Sequence, residues 1–188
     1  MQKYFYLIIV SIFTLTATAQ DVRLPQKPKT TNYTDHSLMN TGFWCSVELE
    51  TGSSVMFNKK NLQVCGVSYI GGFRFNEFLR AGVGFGGRYY FNNNECRNTD
   101  NKWTFPIFIN IRGNIISQEA RTAVPYWSMS IGSAVRDGFF VSPTIGYRFG
   151  ELRDSWLIGL SYSYNVMNLP KERGTGYNSL LLRVGYEF

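Results

Sequence analysis

Arginine and glutamate are the residues of this sequence best placed to do chemistry together. Glu48, Glu50, Arg74, Arg88, Arg112, Arg148, Arg183 and Glu187 all fall on the polar side of segments in which apolar and polar residues alternate. The bases are nearly all Arg rather than Lys. A planar guanidinium with five donors suits multiply hydrogen-bonded pairing with carboxylates in a confined space. Two uses follow. The five arginines could line an anion-attracting passage or ligand cup, or they could form a structural ion-pair network with the three glutamates as partners.

Other reactive types do not assemble. The single histidine, His36, sits in a polar stretch, so a Ser-His or Cys-His nucleophile pair would need that stretch to fold back onto the rest of the chain. Asp35 and His36 make no metal-binding spacing, and Cys45, Cys65 and Cys96 lack C-x-x-C grouping. Gly82-Val83-Gly84-Phe85-Gly86-Gly87 formally matches G-x-G-x-x-G, but the glycines lie inside a two-residue alternation and no helix follows to bind a pyrophosphate. They read as small interior residues that permit curvature. No catalytic residue, metal or cofactor is expected, and the chain is not expected to be an enzyme.

The elements that must position the charges are strands. In Trp103 to Arg112, Trp103, Phe105, Ile107, Ile109 and Ile111 alternate with Thr104, Pro106, Phe108, Asn110 and Arg112. The last nine residues do the same, with Leu180, Leu182, Val184, Tyr186 and Phe188 on one face and Leu181, Arg183, Gly185 and Glu187 on the other. Comparable alternation marks Phe43–Leu49, Val67–Phe75, Ala81–Phe91, Trp127–Val135, Phe139–Phe149 and Trp156–Tyr164. That makes eight predicted strands and no competing helical period, hence an all-β antiparallel up-and-down meander. The connectors fall at Gly52–Lys60, Asn76–Glu77, Asn92–Lys102, Asn114–Thr122, Arg136–Gly138, Gly150–Asp154 and Val166–Gly176. Pro106, Pro125 and Pro143 each remove a ladder donor, so bulges are expected there, or strand ends at Pro125 and Pro143.

Targeting and charge narrow the class. Lys3, the apolar run Tyr4–Leu15 and the small residues through Ala19 have the form of a secretory signal peptide over 1–19. Residues 20–40 read as a polar N-terminal segment, and 41–188 as the strand meander. The 19 basic and 13 acidic residues give +6, but the bases are scattered rather than clustered, and no nucleic-acid partner is expected. Three cysteines are an odd set for an exported chain. Cys45 and Cys65 fall on neighbouring strands at similar distances from their turn, so a cross-strand disulfide is open. Two small apolar side chains facing lipid are favoured, because a flat strand pair strains the bridge.

Alternation alone does not say which face is inside. Aromatics cluster near segment ends, at Phe43, Trp103, Trp127, Phe139, Phe149, Trp156, Tyr164, Tyr186 and Phe188, as in the girdles of a membrane barrel. The other face is rich in Gly and Ser with few Lys, unlike a solvated surface. The terminal strand resembles the assembly signal of Gram-negative outer-membrane β-barrels, carried here by Leu182, Val184, Tyr186 and Phe188. The stretch from Gly72 to Gly84 resembles the short periplasmic hairpin of small outer-membrane barrel proteins of the OmpA/OmpX-like, porin-type class. The resemblance implies a transmembrane β-barrel of about eight strands in the cell outer membrane, inserted by the barrel assembly machinery, with both termini periplasmic. It also implies long surface loops, yet Arg136–Gly138, on the surface side, is short and Asn114–Thr122, on the periplasmic side, is long.

An eight-stranded barrel is just wide enough for its own side chains, which favours the ion-pair network over a passage. The expected role is then non-enzymatic, in envelope structure or surface-loop interaction, by a monomer that contacts outer-membrane lipid. Basic loop residues Lys59, Lys60, Lys102, Lys171 and Arg173 could meet lipopolysaccharide phosphates. Gly42-Phe43-Trp44 resembles the opening of lipocalins and keeps one alternative, a soluble secreted barrel that binds a small apolar ligand.

Overall fold

The computed structural model describes residues 40–54, 62–91, 102–118, 121–135, 138–151, 153–168 and 173–188. The expected signal peptide and nearly all of the 20–40 segment, with His36, lie outside them. So do Cys96, Lys59, Lys60 and Lys171.

The strands are β1 (Gly42–Ser54), β2 (Gln63–Arg74), β3 (Arg80–Tyr90), β4 (Trp103–Thr104), β5 (Pro106–Asn114), β6 (Ala123–Ala134), β7 (Gly138–Gly150), β8 (Ser155–Asn168) and β9 (Arg173–Glu187). Because β4 and β5 are one stave interrupted at Phe105, nine strands make eight staves. Every stave pairs antiparallel with its sequence neighbour, and β1 pairs with β9, so the sheet closes as an up-and-down barrel. Closure leaves no unpaired edge.

The alternation resolves into inside and outside as a membrane barrel requires. On β5, Ile107 and Ile109 are 60% and 59% exposed, whereas Phe108, Asn110 and Arg112 are 6%, 0% and 1% exposed. A soluble carrier would need the reverse. From Phe139 to Phe149 the outward face of β7 spans ten steps of about 3.3 Å, which at a tilt of about 40° gives roughly 25 Å, the height of a barrel's apolar band. Aromatic clusters rim this band. At the end holding the C-terminus, Phe43 meets Phe73 at 5.6 Å and Trp156 meets Tyr186 at 5.1 Å; at the other end, Tyr89 meets Phe91 and Trp103 at 5.1 Å each.

Several expectations need correction. The strands near the closure run past their predicted ends, with β1 reaching Ser54 and β8 reaching Asn168. On β1 backbone pairing continues after the outward residues turn polar at Thr51 and Ser53, because alternation reports burial rather than hydrogen bonding. The prolines cause no register shift: Pro106 opens β5 and Pro125 is the third residue of β6, near a strand end as expected, whereas Pro143 lies mid-strand opposite Met129. On its other side the β7–β8 ladder skips two positions in unchanged register, and Ser161 Oγ donates to the Pro143 carbonyl at 3.1 Å. Cys45 lies opposite Gly71 and Cys65 opposite Thr51, so the two cysteines are far apart along the hairpin and both are free. Cys45 instead accepts a hydrogen bond from Tyr69 Oη at 3.1 Å.

The long 114–122 connector does not disturb the strand count, because part of it folds across the barrel end. Gln118 is buried; its backbone N–H donates to Glu77 Oε2 at 3.0 Å and its side-chain amide to the Gly150 carbonyl at 2.9 Å. Those bonds tie three chain reversals together.

Candidate functional site

Strand phase brings all eight charged residues of the expected network into the lumen. Glu48 and Glu50 enter from β1, Arg74 from β2, Arg88 from β3, Arg112 from β5, Arg148 from β7, and Arg183 and Glu187 from β9; each is at most 5% exposed. A ninth, Arg80 at the start of β3, falls within the stretch that resembles a periplasmic hairpin yet is 1% exposed. Its signal was present, since it shares the alternating phase of Arg74 and Arg88.

The groups form one connected network with two nodes. Toward the C-terminal end, Glu187 receives Arg74 at 2.9 Å, Arg80 at 2.5 Å, Arg112 at 3.5 Å and also Arg148. Toward the other end, Glu50 is held by Arg88 and by Arg183 at 3.3 Å. Glu48 joins the nodes, 2.6 Å from Arg112 and 3.7 Å from Arg183. Each carboxylate thus has at least two guanidinium partners, the arrangement that offsets the cost of burying charge.

Hydroxyl and amide groups carry the network outward. Arg112 Nε donates to Asn110 Oδ1 at 2.7 Å, and Asn110 Nδ2 donates to Ser128 and Ser130 at 2.9 Å each. Arg183 donates to Ser142 at 3.3 Å, and Ser142 shares a 2.7 Å hydrogen bond with Ser161.

The lumen is less polar than its sequence suggested. Trp44, Ile70, Phe108 and Phe140 form a buried apolar cluster on the same inward face. The arginines use it as a platform: the Arg112 guanidinium lies 4.5 Å from the Trp44 ring centre, and that of Arg88 lies 4.6 Å from Phe140. The inward glycines supply space for these large groups. A Cβ at Gly84 or at Gly132 would lie 2.5 Å from Phe108 atoms, and one at Gly185 would lie 2.7 Å from Glu48 Cγ. Around Arg80, Arg112, Asn114, Tyr126, Arg148 and Glu187, the remaining gap is too small to seat a water molecule.

The proposed assembly residues lie on the outside of β9. Leu182 and Phe188 are exposed, Val184 and Tyr186 are half-buried, and Tyr186 stacks between Trp156 and Phe188. Among the described residues, no group of three or more His, Cys, Asp or Glu could hold a metal ion.

No protein-family model and no curated protein matches the chain. Among solved structures it is similar to Neisserial surface protein A (NspA), with a TM-score of 0.54 and 14% identity over 77% of this chain and 95% of that one. The Yersinia pestis outer membrane protein Ail in a phospholipid bilayer nanodisc aligns at a TM-score of 0.41 and 14% identity, over 78% of this chain and 100% of that one. The likeness to NspA is one of fold: the closed eight-stave barrel of a small outer-membrane protein.

Proposed function

We propose that this chain is an integral outer-membrane β-barrel protein without enzymatic activity, closed to solute flow and acting in envelope structure or through its surface loops. One observation carries the reading. An apolar belt of membrane height faces outward, while inside, six arginines are joined by ion pairs to three glutamates. Burying such charge behind an oily exterior makes sense where the exterior solvent is hydrocarbon. The lumen residues then serve to fill and lock the barrel, since guanidinium groups, aromatic rings and hydroxyls occupy the space a solute would need.

The chain is proposed to be a monomer. Outward residues Leu182, Val184, Tyr186 and Phe188 are proposed to be read by the assembly machinery. The basic residues Lys59, Lys60, Lys102 and Lys171, with Arg173 at the start of β9, are proposed to meet lipopolysaccharide phosphates. Unchanged lipopolysaccharide binding after neutralising those five would remove that contact.

Envelope fractionation, with gel migration compared before and after boiling, tests the main proposal. The expected result is an outer-membrane fraction that needs detergent for extraction and shifts on heating. Release into aqueous buffer without detergent would overturn it in favour of a soluble carrier. Planar-bilayer recording tests the closed lumen, and steady conductance would refute it.

A further inference from the structure

Charge sign is segregated by strand. All three buried carboxylates among the described residues stand on the two strands that meet at the closure, Glu48 and Glu50 on β1 and Glu187 on β9. Five of the six buried arginines stand on β2, β3, β5 and β7, and only Arg183 shares the seam. In an unrolled sheet β1 and β9 are opposite edges, so acid would lie at both margins with base between them.

Two of the ion pairs link staves that remain close in the open sheet, Arg88 with Glu50 and Arg148 with Glu187. Four others bridge one margin to the other: Arg183 with Glu48 and with Glu50, and Glu187 with Arg74 and with Arg80. Those four exist only when β1 and β9 are paired.

The seam geometry makes the pairs sensitive to register. Cys45 and Phe188 exchange both backbone hydrogen bonds at 2.9 Å. By alternation, the inward pairs Ser46 with Glu187 and Glu50 with Arg183 fall at the close, non-hydrogen-bonded positions where facing side chains approach most. Sliding β9 by one residue would turn every lumen group outward. Sliding by two keeps the faces but misplaces the charges. One direction sets Glu187 opposite Glu48; the other moves Arg183 from Glu50 to Glu48 and leaves Glu50 opposite Leu181.

We propose that the acidic residues of β1 and β9 select the register in which the barrel closes, with Glu50 and Arg183 as the discriminating pair. Seam register sets the stagger of the whole barrel. These charges therefore decide which lumen side chains meet, beyond any contribution to holding them together.

Disulfide trapping tests this in the full chain refolded from urea into detergent micelles, with Cys45, Cys65 and Cys96 replaced by serine. Leu49→Cys is combined in turn with Leu182→Cys, Val184→Cys or Tyr186→Cys. Leu49 lies opposite Val184. As a hydrogen-bonded pair they should have Cα atoms about 5.5 Å apart, within disulfide range, whereas a residue two further along is displaced by roughly 7 Å and falls outside it.

With native charges, only the 49–184 combination should cross-link. In the neutral variant Glu50→Gln with Arg183→Gln, the 49–182 or 49–186 product should appear at the expense of 49–184. Arg183→Glu should lose the 49–184 product or the folded band altogether. Reversing the sign of the triad, with Glu50→Arg, Arg88→Glu and Arg183→Glu together, should recover both.

Exclusive 49–184 cross-linking in the neutral variant would overturn the proposal, as would a triad variant no better than Arg183→Glu. If the neutral variant yields no folded barrel, the triad decides, recovery supporting the proposal and failure overturning it.

Discussion

Among the described residues, the two ends of the lumen are packed by different means. At the C-terminal end, four arginines from four staves converge on Glu187, and Gln118 ties the chain reversals together over them. At the other end, Leu62, Val64, Tyr90 and Leu181 form an apolar cap above the Glu50 node. The charged closure concentrates its dependence on one carboxylate, because Arg74, Arg80 and Arg148 all pair with Glu187, and of the four guanidinium groups there only Arg112 has a second carboxylate, Glu48. The apolar closure spreads its dependence over many contacts, because burial contributes roughly in proportion to area and has no directional partner. Damage at the first end should therefore be abrupt, and at the second graded.

The largest expected effect is at the charged end. Glu187→Gln leaves four buried guanidinium groups without their shared anion and should cost about 3–5 kcal/mol, read as a lower urea midpoint for the heat-sensitive gel shift. Raising salt should not restore it, since buried charges are poorly screened. An effect equal to that of a surface charge change would break the contrast.

Leu62→Ala, in the apolar cap, should cost about 2–3 kcal/mol, through lost burial and the cavity left behind. The double variant with Glu187→Gln should be additive within about 0.5 kcal/mol if the two closures are independent. Between the two ends, Gly84→Ala drives a methyl into the Phe108 ring and should cost about 2 kcal/mol; combining it with Phe108→Leu should recover part of that loss. The smallest effect belongs to Gln118→Ala. Losing its side-chain bond to Gly150 should cost about 1 kcal/mol, with faster hydrogen exchange at the Ile115 amide as the local signature.

Much of the architecture was legible along single strands. Ile107, Ile109 and Ile111 alternating with Phe108, Asn110 and Arg112 gave both the strand and its two faces, because side chains on a pleated ribbon point to opposite sides at every step. Strand ends were less legible. Thr51 to Ser54 keep the ladder after the apolar band has ended, so no hydropathy pattern marks them. Arg80 stands one residue before the alternation that begins at Ala81, and Gln118 carries no pattern in a connector that folds inward.

The sequence by itself determined that the chain makes strands, that each has an oily and a charged side, and that arginine dominates the charged side. Those properties depend on residues two apart. Tertiary structure alone decided that Arg74 and Arg80 share an anion more than a hundred positions away, that aromatic rings lie under the guanidinium groups, and that the acids gather at the closing seam. Such meetings are set by how a sheet curls and by the stagger at which its edges join. Neither is written in the spacing of any one strand.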